Sequence, residues 1–474
     1  MKLNELTLKQ TLDLLSKKEI SLEDLYKNVE AAIREKNKEL NVFLTLNEKA
    51  KDEASSNKKK PLKGIPLAIK DNFLTKGLRT TASSKVLDDY IPQYESTVTA
   101  RLKEAGAIVI GKTNMDAWAH GSSTETSDYG ATKNPRNPQY LPGGSSGGSS
   151  AAVAADMAIA AIGSETAGSI RQPAAWCGCV GLKPTYGRVS RYGVVAMGSS
   201  LDSPGPLTKT VEDSTILFPI IAGKDNYDAT TAEKPVPDLS KALTAGVKGL
   251  RIGIVYMDHP KIKGTVLAQA ILAAGQKLTE LGAYVEEIPL SDQLQDGKIL
   301  NPDYSIGLYT IIQRGEVSSN LARYDGIRFG NNRKFFGTEA KRRIMLGTFT
   351  LSKGYSEKYY LRGQQVRTLY IENFSQLFKK YDVLISSPSP GFAQKLGSTA
   401  DNPMFGELED MLNEASSVTG LPGMSVPCYR DPETNLYIGL NIMADQWQEE
   451  KMVRVAATYE AATDWNSWTS KKYG

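Results

Sequence analysis

Histidine is nearly missing from this sequence: His120 and His259 are the only two in 474 residues. A multi-histidine metal centre is therefore not expected, and no HExxH pattern occurs. Cysteine is also scarce. Cys177, Cys179 and Cys428 are too few and oddly numbered for a disulfide framework, which points to a reducing compartment. The first two form CxC with no histidine nearby, so zinc is not expected. No stretch approaches the roughly 18 apolar residues of a membrane span, and the first ten residues are polar, so neither a span nor a signal peptide is expected. Excess charge is small as well: 57 Lys+Arg against 53 Asp+Glu leave +4. A dedicated nucleic-acid surface shows as a clustered basic excess, so direct DNA or RNA binding is disfavoured.

What is present reads as an ordinary globular chain, 41% hydrophobic and 23% charged. Residues 4–40 carry two helical patterns, with Leu12 and Leu15 in the first and Leu25, Val29 and Ile33 in the second; Ser21 and Asp24 resemble a capping box. A Lys-rich connection follows at 51–63. Short apolar runs at 64–70, 107–110, 159–162, 251–256, 283–288 and 383–385 predict strands, and 96–105 and 266–281 predict amphipathic helices. The small-residue segment 150–158 predicts a closely packed helix, and the polar stretch 225–247 a linker. Strands alternating with helices give an α/β architecture.

Two tempting motifs fail on context. Gly106–Thr113 fits the phosphate-loop pattern GxxxxGK[ST], but its variable positions are apolar and themselves form a strand. Gly143–Gly147 fits GxSxG, but the nucleophile elbow needs a buried strand before it, and 134–142 holds three prolines. Taken alone, the stretch 143–149 (GGSSGGS) reads as a flexible linker, yet it runs directly into the apolar segment 150–158. The loop 163–173 (GSETAGSIRQP) reads alone as a tight turn capping a helix. Its Gly and Ala residues would also let backbone amides approach a ligand closely. Lys70 ends an apolar strand. A buried ammonium loses charge and becomes a base, and half-neutrality at pH 7 requires its pKa to fall by about 3 units.

The order GIPLAIKDN (64–72), GGSSGGS (143–149) and GSETAGSIRQPAAWCGCVGLKPTYGRVSRYG (163–193) resembles the amidase signature family. SSNLARYDGI (318–327), KRRIMLGT (341–348), GLPGMSVP (420–427) and AATDW (461–465) extend the resemblance over nearly the whole chain, towards the A-subunit branch of tRNA-dependent amidotransferases. The resemblance implies a central mixed β-sheet covered by helices on both faces, with an N-terminal helical segment. It implies a single domain over 1–474, with 1–60 as helical segment and charged linker, 61–215 as catalytic core, and 250–474 as the rest of the core with the substrate pocket.

It further implies a Ser–cis-Ser–Lys triad, with Ser169 as nucleophile, Ser145 as bridge and Lys70 as base. Backbone amides of Thr166, Ala167 and Gly168 would form the oxyanion hole. A glutamine pocket would use Tyr309 and Arg343 at the α-carboxylate and Asp410 at the α-ammonium; Arg342 and Asp401 are the neighbouring alternatives. The branch releases ammonia from glutamine to convert Glu-tRNA(Gln) to Gln-tRNA(Gln), and in some members Asp-tRNA(Asn) to Asn-tRNA(Asn). It works with subunits B and C in the cytoplasm. The misacylated tRNA is reached through that complex, ATP and Mg²⁺ are expected on the partner, and no cofactor or metal is expected on this chain.

The sequence departs from the pattern at Glu165 and Ala167, where the branch has Asp and Gly, at His120, which replaces an apolar residue, and in the stretch 328–337, which is shorter. Two rival readings remain: a free-standing amidase acting on another small amide, and an inactive scaffold.

Overall fold

The structure, a computed structural model, describes residues 2–400 and 402–469. Its strands are β1 (Phe43–Leu46), β2 (Pro66–Lys70), β3 (Ile108–Thr113), β4 (Ala160–Glu165), β5 (Val180–Lys183), β6 (Ser203–Thr208), β7 (Arg251–Val255), β8 (Tyr284–Ile288), β9 (Leu290–Ser291), β10 (Ile299–Leu300), β11 (Val383–Ser386), β12 (Gly423–Arg430) and β13 (Tyr437–Ala444). Eleven form one mixed sheet in the order β1-β3-β2-β4-β6-β5-β12-β13-β11-β7-β8, while β9 and β10 pair separately. Parallel ladders join β3, β2 and β4 on one side and β11, β7 and β8 on the other, with antiparallel ladders between. Strands from both halves of the chain meet where β5 pairs with β12, Gly181 opposite Ser425 and Lys183 opposite Gly423.

The N-terminal helices form as their spacing predicts, at Leu8–Lys17 and Leu22–Leu40. Ser21 does accept the Asp24 N–H, but the Asp24 carboxylate takes the Ser21 hydroxyl instead of reaching back to the backbone. The complete capping box belongs to Thr7 and Gln10. The Lys-rich connection contains a short helix, Ala50–Ser55, seated through buried Ala50 and Ala54. The stretch 225–247 is more than a linker: Leu239, Ala242 and Val247 are buried and a 3₁₀ turn forms at Ser240–Leu243.

The buried small-residue helix is Gly147–Ala154, three residues earlier than predicted at its start and four at its end. The second half of the glycine loop is its first turn. At Gly148 a Cβ would lie 2.3 Å from the Asn114 carbonyl oxygen, so only glycine lets the backbones meet. The helix ends before Asp156, whose φ of 56° lies in the left-handed region. Every residue of this helix is buried, and so is all of β4 beneath it.

Candidate active site

Parallel strands β2 and β4 run side by side, Leu67 opposite Ala160 and Ile69 opposite Ile162, so their carboxyl ends open on the same edge of the sheet. Clefts of α/β sheets lie at such edges. Lys70, the last residue of β2, is fully buried. Its Nζ donates to Ser145 Oγ at 2.7 Å and to the Ser164 carbonyl at 3.0 Å. Burial lowers its pKa to about 7, although Asp116, Asp202 and Glu165 favour the charged form. The amine is therefore close to half-neutral at physiological pH.

Ser145 follows a cis peptide with Gly144. A Cβ on Gly144 would lie 2.1 Å from Asp116 Oδ2, so the carboxylate and the glycine backbone share the space a side chain would need. Gly144 N–H donates to Gln172 Oε1 at 3.0 Å. Ser146 N–H donates to the Ser169 carbonyl at 3.2 Å, which lays the two serine loops against each other. The Ser146 hydroxyl meets only backbone, donating to Ser164 O at 3.1 Å and accepting from Ser164 N at 3.3 Å.

The loop after β4 is held by Glu165. One carboxylate oxygen accepts the N–H groups of Ile170 and Arg171, both at 3.0 Å, and the other takes the Arg171 guanidinium at 2.6 and 2.8 Å. Arg171 also reaches Ser416, Ser417 and Asn441. This pair is fully buried and tightens residues 166–170 into a turn that opens the helix Arg171–Cys177. Ala167, one of the departures from the family pattern, is not among the residues with positive φ, so its methyl is tolerated. The backbone N–H groups of Ala167, Gly168 and Ser169 donate to no protein group among the described residues. Thr166 Oγ1 instead donates to Asp202 at 2.7 Å. Asp202 also accepts the Met197 and Gly198 N–H groups, and burial raises its pKa to about 6.

Three helices build the neighbouring pocket. Tyr309 lies on Asp303–Leu321, Arg343 on Thr338–Leu351 and Asp410 on Phe405–Val418, all three buried. Burial holds the Tyr309 phenol well above its ordinary pKa, and the charges of Arg343 and Asp410 both act on it. Asp410 lies hard against the 166–170 loop: a Cβ on Gly168 would sit 2.1 Å from its Oδ1. Its other oxygen accepts the Ser122 hydroxyl at 2.6 Å, and burial holds the carboxyl well above the usual range. Arg343 donates through Nε to Glu339 at 2.6 Å and more weakly to Glu407 at 3.4 Å. Burial opposes its charge, but the two glutamates outweigh that and keep the guanidinium cationic. Arg342 points outward to Glu339, and Asp401 lies outside the described residues.

The amidase family's sequence profile matches residues 23–453. The chain belongs to the amidase signature family. The A-subunit of glutamyl-tRNA(Gln) amidotransferase from Prochlorococcus marinus is 45% identical over 95% of this chain and 96% of its own length. The corresponding protein of Halothermothrix orenii is 46% identical over 98% of both. The crystal structure of the Thermotoga maritima A-subunit of the same amidotransferase superposes with a TM-score of 0.82, at 38% identity over 97% of this chain and 95% of that one. Within this amidase site, reading the sequence did not bring out Asp116, Asp202, Gln172 or Ser122. It also passed over Glu407 and Glu414, which share a face with Asp410 at i, i+3 and i+7, a spacing that helical periodicity makes visible.

Proposed function

We propose that this chain is the glutamine-hydrolysing component of a tRNA-dependent amidotransferase, working in the cytoplasm with subunits B and C. Neutral Lys70 accepts the Ser145 hydroxyl proton while Ser145 takes the proton of Ser169. Ser169 Oγ then bonds to the carboxamide carbon, and the backbone N–H groups of the 166–169 turn hold the oxyanion. As the tetrahedral species collapses, the C–N bond breaks and the departing nitrogen takes a proton back through Ser145, leaving as ammonia. Water, deprotonated by the same relay, hydrolyses the acyl-Ser169 ester to glutamate. Tyr309 and Arg343 hold the α-carboxylate and Asp410 the α-ammonium. ATP-dependent activation of Glu-tRNA(Gln), with its Mg²⁺, falls to the partner.

The observation that carries this reading is the 2.7 Å contact of a wholly buried lysine amine with the hydroxyl of Ser145, beside the loop that bears Ser169. A charged surface lysine could not serve as the base. The near-full-length similarity to the A-subunits of amidotransferases favours glutamine over another small amide as the substrate. Ammonia release from glutamine, measured for wild type and Ser169→Ala, tests it: the variant is expected to lose at least about 10³-fold in kcat. Equal release would remove Ser169 as the nucleophile. Copurification of two further subunits separates this reading from a free-standing amidase.

A further inference from the structure

A cavity of about 470 Å³ opens over this pocket, lined among others by His120, Ser122, Glu339, Arg343 and Glu407. Its charges are unusually arranged. One oxygen of Glu407, Oε1, accepts from Arg314 at 3.0 Å and from Arg343 at 3.4 Å, so a carboxylate of the protein already stands between the two guanidinium groups. Glu339 takes the Nε face of Arg343. Buried Arg314 and Arg343 thus share Glu407, and Glu339 is divided between Arg343 and the outward Arg342, so the guanidinium of Arg343 is already engaged by two carboxylates of the protein. The set is also incompletely satisfied: Glu407 Oε2, Arg314 Nε and both His120 ring nitrogens lack partners among the described residues, although all three side chains are buried. An ion pair serving stability alone would gain from closing those bonds.

We propose that Glu407 is a specificity-determining residue, an internal carboxylate that competes for the substrate's α-carboxylate position and opens the pocket to glutamine whose carboxylate is masked. The inference rests on the glutamine-pocket reading above. A free carboxylate entering here must displace or share with Glu407 the guanidinium groups it needs. A substrate with a neutral carboxamide there leaves the Glu407 pairs intact while its ammonium still reaches Asp410.

The test compares L-glutamine with L-glutaminamide on the full-length chain and its copurifying subunits. Side-chain ammonia release is measured, with glutamate or isoglutamine identified as product. For wild type, kcat/KM for the two substrates is expected to lie within about tenfold. Glu407→Gln is expected to shift the ratio towards glutamine by at least tenfold, chiefly through a lower KM for glutamine. A ratio of two substrates on one preparation is insensitive to the folded fraction. The double variant Glu407→Gln, Arg314→Gln, which leaves no new uncompensated charge, should move the ratio the same way, by at least threefold. A ratio unchanged within threefold in both variants, or shifted towards glutaminamide, overturns the role of Glu407 and leaves the glutamine reading standing. If wild type hydrolyses neither compound, the glutamine reading itself fails, and the inference with it.

Discussion

The proposed chemistry turns on the protonation of one amine. Lys70 is fully buried, and among the described residues no carboxylate forms an ion pair with its amine, although Asp116, Asp202 and Glu165 favour its charge. Only the neutral form can accept a proton, so kcat/KM is expected to fall tenfold per pH unit below about 7 and to level off above it. A flat profile from pH 5.5 to 8 would argue against the base assignment. Lys70→Arg should be inactive at every pH, because a guanidinium does not deprotonate in this range. The burial of Lys70 was legible because a lysine closing an apolar strand has few ways to stay hydrated. Asp116 and Asp202 were not legible: each reaches the site through backbone folding that no local pattern encodes. Nor does the sequence assign a role to His120, which lies in the cavity wall and whose ring nitrogens have no partner among the described residues.

At the level of elements, the 166–170 loop is shaped from below by the Glu165–Arg171 pair. The two residues are six apart, but Arg171 also binds the helix Phe405–Val418 and β13. Arg171→Met would strand a buried carboxylate, and is expected to cost about 3–5 kcal/mol in urea denaturation with activity lost in parallel. A loss under 1 kcal/mol would show that water reaches the glutamate. Periodicity located the N-terminal helices, β2, β3 and the helix Val266–Glu280 to within a few residues. It gave no signal for β6, Ser-Pro-Gly-Pro-Leu-Thr, although that strand is wholly buried in mid-sheet. Proline normally excludes such a position because it cannot donate to a ladder. Here β5 pairs only with Leu207 and Thr208, beyond both prolines.

Across the whole molecule, the sheet is continuous from β1 to β8, and the β5–β12 ladder at its middle joins residues more than two hundred positions apart. The family resemblance anticipated this mixed sheet, whereas local patterns revealed only its parallel flanks, where strands and helices alternate. We read the chain as one cooperative unit. Calorimetry of the isolated chain is expected to show a single transition; two separable ones would mean that the halves fold independently.

Arg171 finds its anchor Ser416 at a separation of 245 residues. A ribosome therefore finishes the 166–170 loop long before it makes the groups that fix that loop's shape. On the triad reading proposed above, a chain terminated before Ser416 is expected to carry Lys70, Ser145 and Ser169 and yet release no ammonia from amides.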